Sequence, residues 1–440
     1  MQTVDQIISP SWIFDGISND LLENNSIVIN GNKIIDIVPT NQLQDLYQAD
    51  AVFNLDNHLL TPGLINAHTH ASMSLLKGYA DDCSLNDWLN QFIWPAEKKY
   101  VDESFVRDGT RLAIAEMIKS GITSFNDMYF YPEVTAEVCV EHGMRANLGL
   151  VTLDFATNYA HDPDDYLTKG LHFRDQFRGE SLITTSLAPH APYSVSDKTF
   201  EKINTYAVEL DLRIHTHLHE TRHEITESEE KYGASPIQRL DKLGILGPAV
   251  TAAHCVHLSS LDLEILNKNN VTVVYNPSSN LKLGSGIADL KSMMDKNLCI
   301  AVGTDGSASN NRLDILNELL IGLLVNKGVN MESEFLNAKV AFQMATLNGA
   351  KALGIEDQVG TIEKNKLADM TTFDLSNVYC QPSYDPLSSL IYSGGRSLVS
   401  HVWIDGNLQL KEGELQSFDE SSLLTKAKAW QDKIKTIQTS

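Results

Sequence analysis

From residue 61 to residue 356 short apolar runs alternate with longer amphipathic stretches. Eight runs carry the β pattern: Gly63–Ala67, Gly121–Asn126, Arg145–Val151, Leu182–Ala188, Leu212–Leu218, Val250–His254, Val271–Tyr275 and Cys299–Thr304. Each is too short for a buried helix and is bounded by turn-forming or polar residues. Between them lie segments such as Phe105–Lys119 and Ser196–Glu209, with apolar positions at helical spacing. Strand–helix alternation implies parallel pairing, and eight such units predict an α/β fold, a TIM-like (β/α)₈ barrel. An open doubly wound sheet is the alternative, because the pattern does not prove closure.

The flanks read differently. Ser26–Asn30, a turn at Gly31-Asn32, and Lys33–Val38 predict a hairpin. Strand signals return after residue 357, where Gly360–Glu363 leads to Leu367–Asp374, and Val399–Ile404 meets a turn at Asp405-Gly406-Asn407. Residues 1–60 and 357–440 are therefore expected to form one small β-sandwich domain from both termini, with 61–356 as the barrel. The tail Leu423–Gln438 reads as a surface helix.

Composition narrows the function. A formal net charge of −23 and the lack of a Lys/Arg cluster argue against a nucleic-acid partner. No apolar stretch approaches the ~20 residues that span a bilayer, so no membrane partner is expected. Met1–Pro10 lacks the basic and apolar regions of a secretory leader. The five cysteines are scattered without CxxC spacing, which suits reduced thiols and a cytoplasmic protein. A homo-oligomer is expected.

The chemistry gathers at strand ends. His68 and His70 follow the first strand at i, i+2, so both side chains point to one side. His217 ends the fifth strand, His254 the sixth, and Asp305 follows the eighth. In a barrel these ends converge on one face. Three imidazoles and a carboxylate suit zinc, with Fe²⁺ or another divalent ion as alternatives, and leave room for a water whose pKa falls to ~7. His215 and His219 share the parity of His217, so periodicity does not choose among the three. Glu220 is placed to shuttle protons, or is a solvated charge at the head of the acidic run Glu220–Glu230. His254 is a site residue or a satisfied core histidine. His142, His223 and His257 read as surface or structural groups, and Trp88 and Trp94 as core or as pocket walls. The fourth strand carries no lysine to bridge two ions, which implies one metal.

The stretches Pro62–His70, His217–Thr221, His254–His257, Asn276–Leu283 and Gly303–Gly306 resemble the amidohydrolase superfamily, in the branch holding 5′-methylthioadenosine/S-adenosylhomocysteine deaminases and triazine hydrolases. The resemblance runs over almost the whole chain. It implies that His68, His70, His217 and Asp305 bind one zinc ion, which selects His217 from the three histidines. It further implies that Glu220 is the proton shuttle and that His254 orients the attacking hydroxide. Glu97 would hold ribose hydroxyls, and His190 would contact substrate at the end of the fourth strand. The implied reaction is hydrolytic deamination of a small nucleoside. The alternative is a related aminohydrolase or chlorohydrolase acting on guanine, pterin or triazine rings. One departure bears on substrate: no arginine lies between Arg145 and Arg174, where such deaminases carry the partners of a homocysteine carboxylate. That favours uncharged methylthioadenosine over S-adenosylhomocysteine.

Overall fold

The computed structural model describes residues 1–18 and 20–435. Before the barrel come β1 (Gln2–Ile13), β2 (Leu22–Glu23), β3 (Asn25–Asn30), β4 (Lys33–Pro39) and β5 (Tyr47–Pro62). The barrel strands are β6 (Leu64–Thr69), β7 (Ile122–Asp127), β8 (Arg145–Thr152) and β9 (Ile183–Pro189). They continue with β10 (Arg213–Leu218), β11 (Val250–His254), β12 (Thr272–Tyr275) and β13 (Cys299–Val302). After the barrel follow β14 (Met370–Asp374), β15 (Val399–Ile404), β16 (Asn407–Lys411) and β17 (Glu414–Leu415).

Strands β6 to β13 form an eight-stranded sheet in which each pairs in parallel with its sequence neighbour. The first and last are joined across the remaining seam by side chain and backbone. Asn66 accepts from Thr304 N at 3.0 Å and donates to Thr304 Oγ1 at 2.7 Å, while Asp305 N donates to His68 O at 3.0 Å. Only glycine fits beside this seam. A Cβ on Gly303 would lie 2.6 Å from Asn276 Oδ1 and 2.8 Å from the backbone N and O of His68.

Helices cover the barrel because their apolar stripes match its outer wall. In Glu103–Lys119 the buried positions include Phe105, Val106, Ala113, Ile114, Met117 and Ile118, and the side chain of Asp102 caps Phe105 N. The last described helix, Glu420–Lys435, sets Trp430 edge-on to Phe105 with ring centres 5.3 Å apart. The predicted continuation of this helix over 436–438 lies outside the described residues.

Both termini contribute to the second sheet, which has nine strands with β1 between β5 and β3. Its halves join where β5 pairs antiparallel with β14, from Pro62 opposite Met370 to His58 opposite Asp374. The sheet curls over a core containing Ile8, Ile29, Leu60, Met370 and Trp403. The curl is tied by Gln6 Nε2 donating to Gly406 O at 2.8 Å and Trp403 Nε1 donating to Gln6 Oε1 at 3.0 Å. Gly360–Glu363 corrects the sequence reading, since it is a loop and not a strand. Lys366 Nζ donates to Thr361 Oγ1 at 2.5 Å, and Thr361 donates to Glu363, folding the segment on itself while Ile362 enters the core. Arg145, at the start of β8, is buried between Asp369 and Asp405 and joins barrel to sheet. Among the described residues, no helix is long and apolar enough to cross a membrane.

Candidate active site

His68, His70, His217 and Asp305 offer ligand atoms that all lie within 4.8 Å of one another. His68 and His70 come from the end of β6 and His217 from the end of β10, while Asp305 sits beyond β13. Asp305 Oδ1 is 3.3 Å from His68 Nε2 and 3.2 Å from His70 Nε2, and the Nε2 atoms of His70 and His217 are 3.3 Å apart. The buried Nε2 of His68 has no hydrogen-bond partner. Three imidazole nitrogens and a carboxylate oxygen crowded in this way are a donor set fitted to a divalent cation.

Hydrogen bonds at the far side of each ring turn Nε2 inward. His70 Nδ1–H donates to Met128 O at 2.5 Å and His217 Nδ1–H to His190 O at 2.6 Å. Nδ1 of His68 lies 2.9 Å from Nε2 of His215, so His215 accepts from His68 when Nε2 of His68 is a ligand. Burial holds the His68 and His217 imidazoles below the usual range, which favours the neutral form that binds metal. Burial alone would push the Asp305 carboxyl up, but the adjacent imidazoles of His68 and His70 hold it well below the carboxylate range.

The three histidines that periodicity could not separate have different places. His217 joins the cluster and His215 stands behind His68. His219 lies past the end of β10 with φ +52°, donates through Nδ1 to His257 O, and accepts from Ile237 N. His142 and His257 also bond backbone carbonyls, of Ser417 and Ser285 respectively. His223 is exposed.

Glu220 and His254 lie beside the cluster, with Glu220 Oε2 3.8 Å from His254 Nε2. Burial, reinforced by the charges of Asp305 and Glu224, pushes the Glu220 carboxyl well above its ordinary value, so it holds a proton readily. Burial pushes the His254 imidazole down to about 3, leaving it neutral. Asn280 Nδ2 donates to His254 Nδ1 at 2.9 Å, which puts the ring proton on Nε2, the edge facing Glu220. Both His254 (φ +75°) and Asp305 (φ +57°) occupy the left-handed region. Non-glycine residues are held there only when their surroundings over-determine them, at about 1–3 kcal/mol each.

A cavity of ≈ 440 Å³ opens from the cluster, within the range of sites for small organic ligands. Glu97 lines it, accepting from Tyr129 OH at 2.8 Å, and burial pushes its carboxyl up to about 7. His190 donates through Nδ1 to Ser194 Oγ at 2.8 Å, leaving Nε2 as an acceptor, and burial holds it neutral at about 3. Trp88 and Trp94 are both walls of this cavity, as are Val151 near the end of β8 and Leu153 and Phe155 beyond it. Among the described residues, this is the one group of histidines and carboxylates with the spacing of a metal site.

Sequence reasoning did not single out Ser279 and Ser309, whose hydroxyls donate to Asp305 Oδ2 at 2.6 and 2.9 Å, nor Asn280 behind His254. The signal available was the polar density of Asn276-Pro277-Ser278-Ser279-Asn280 directly after a barrel strand.

Residues 59–408 match the profile of the amidohydrolase family. A Saccharophagus degradans protein called a 5-methylthioadenosine/S-adenosylhomocysteine deaminase is 42% identical, covering 99% of this chain and 98% of its own. A Teredinibacter turnerae protein of the same name is 41% identical, with 98% of each chain covered. Among solved structures, an adenosine deaminase from Xanthomonas campestris with bound zinc superposes with a TM-score of 0.97 at 38% identity, over 99% of each chain. An atrazine chlorohydrolase from Arthrobacter aurescens complexed with zinc shares the fold at 22% identity, with a TM-score of 0.90 over 97% of this chain and 99% of that one.

Proposed function

The chain belongs to the amidohydrolase family, and from that premise we propose that it is a zinc-dependent hydrolytic deaminase of a small nucleoside, taking 5′-methylthioadenosine and water to the 5′-methylthioinosine analogue and ammonia. The observation that carries this reading is the position of Glu220 and His254: both adjoin the cluster of His68, His70, His217 and Asp305, and neither belongs to it. Its near relatives named as deaminases of methylthioadenosine and adenosylhomocysteine support the substrate class.

A zinc ion held by His68, His70, His217 and Asp305 would supply Lewis acidity and an acidified water at the floor of the cavity. The rest falls to the protein's own groups. Glu220 takes a proton from the attacking water and delivers it to N1 of the adenine ring, a role that suits a carboxyl of raised proton affinity. As the tetrahedral centre at C6 collapses, Glu220 takes the remaining proton of the added hydroxyl and passes it to the exocyclic nitrogen, which leaves as ammonia while that oxygen becomes the product carbonyl. The Nε2–H of His254, fixed by Asn280, donates to the oxygen added at C6. Glu97 accepts from the ribose hydroxyls, and Nε2 of His190 faces the substrate as a hydrogen-bond acceptor.

The apolar walls Val151, Leu153 and Phe155 support an uncharged 5′ thioether over an amino-acid tail. Arg145 cannot serve a carboxylate, because Asp369 and Asp405 already occupy it. Ammonia release across adenosine, methylthioadenosine, adenosylhomocysteine and guanine, with chloride release from chlorotriazines, tests the proposal. Methylthioadenosine should give the highest kcat/KM, and a clear preference for guanine would refute the assignment.

A further inference from the structure

We propose that Glu318 is a positioning residue, which clamps together the two short helices whose side chains hold Asp305 and His254 in place. The proposal rests on the reading that Asp305 is one of four ligands to a divalent ion.

Glu318 lies in the helix Ile315–Asn330 and is 1% exposed. Its Oε2 accepts from Ser278 N at 2.9 Å, and its Oε1 accepts from Ser278 Oγ at 2.6 Å and Asn310 Nδ2 at 2.9 Å. Ser278 belongs to the helix Pro277–Lys282 and Asn310 to the helix Ser307–Asn310. Helices of six and four residues are not stable on their own, because nucleation costs more than so few hydrogen bonds return. Their relative placement must come from outside. Glu318, on a helix of 16 residues, accepts from both, and on the far side Lys282 Nζ donates to Ala308 O at 3.4 Å.

What the two helices carry explains why the clamp matters. Ser279 and Asn280, next to Ser278, donate to Asp305 Oδ2 and His254 Nδ1. Ser309, next to Asn310, donates to the same Oδ2 of Asp305, and Asn310 also donates to Thr304 O at 2.7 Å. With Oδ2 held by one serine from each helix, Oδ1 is fixed toward His68 and His70. If the helices separate, Oδ2 loses a donor, the carboxylate is free to rotate, and the left-handed backbone at Asp305 loses part of its support. Burial pushes the Glu318 carboxyl up to about 7, against the hydrogen bonds that Ser278 gives it. A buried acid with that penalty and no place in the cavity is accounted for by the junction it makes.

Glu318→Gln tests this, since it keeps the shape and replaces one accepting oxygen with an NH₂ group facing donors. Zinc affinity is read by competition with a chromophoric chelator, ligand geometry by the visible spectrum of the cobalt(II)-loaded protein, and folding by circular dichroism; kcat and KM follow. The variant should fold, bind zinc roughly 10- to 100-fold more weakly, shift the cobalt bands, and lose kcat at saturating metal with KM nearly unchanged. Ser278→Ala removes a single hydroxyl and should move the same readouts in the same direction by less. If the unaltered chain binds no zinc, the metal reading falls and this proposal with it. If the unaltered chain binds zinc while both variants keep its affinity, spectrum and kcat, the positioning role alone is overturned. It is also overturned if both variants lose zinc only in step with their fold.

Discussion

Replacing Glu97 by glutamine probes the substrate end of the cavity without disturbing the metal cluster. The carboxyl is held at about 7 against an ordinary 4.5, chiefly by burial and against the hydrogen bond from Tyr129. That rise from 4.5 to about 7 corresponds to roughly 3 kcal/mol favouring the protonated form in the folded state. The folded-state value is raised, so the acid form stabilises the fold fully below pH 4.5, and this contribution is lost as pH rises through about 7. Glutamine carries no such loss. The variant's stability relative to the unaltered chain should therefore climb between pH 4.5 and 7, by on the order of 3 kcal/mol at most.

Activity should move the other way. A carboxylate accepting from substrate hydroxyls contributes about 1.5–3 kcal/mol, or roughly ten- to a hundredfold in kcat/KM. The assay compares kcat/KM for methylthioadenosine and its 2′,3′-dideoxy analogue from pH 5.5 to 8.5, beside thermal unfolding over the same range. The unaltered chain should lose kcat/KM below about pH 7, where Glu97 takes up a proton, and should favour the diol-bearing substrate. The glutamine variant should lose that acid limb and most of that preference. Full retention of the preference for the diol would refute the placement of ribose against Glu97.

Two other perturbations separate the roles of neighbouring groups. Glu220→Gln should keep stoichiometric zinc, since Glu220 is outside the ligand cluster, yet lose about 10²- to 10⁴-fold in kcat by ammonia assay; near-normal turnover would remove its assigned role. Gly303→Ala places a methyl 2.8 Å from the backbone of His68 and 2.6 Å from Asn276 Oδ1. It should cost several kcal/mol in chemical denaturation and lower zinc occupancy together, whereas a variant as stable as the unaltered chain would mean that the seam is looser than described.

The barrel was legible because a strand buried on both faces announces itself as a short apolar run, and eight of them recur with helices between. Their ends were less certain. The eighth was expected to reach Thr304, but β13 stops at Val302, where the chain turns to set Asp305 over His68. The candidate metal-ligand set was visible because i, i+2 histidines and a strand-end acid leave a trace in one dimension. His215 and His219 were not separable from His217, since strand parity is equal for all three. The distinction comes from the end of β10 at Leu218 and the reversed backbone at His219. Ser279, Ser309 and Glu318 leave no periodic signal, because they meet through tertiary packing of short helices. Gly360–Glu363 looked like a strand because Thr361 and Ile362 favour one, but local hydrogen bonds through Thr361 and Lys366 folded it on itself.

The ring shuts between its first and last strands, and the same seam brings Asp305 to the histidines. During synthesis His68 and His70 leave the ribosome long before the acid that completes their set. Closing so long a loop is slow, and until it happens the nascent barrel presents two open edges rich in apolar side chains. Metal capture is therefore expected to follow closure and to lock it, and a chain stalled short of β13 should fall to aggregation or proteolysis before it ever holds an ion.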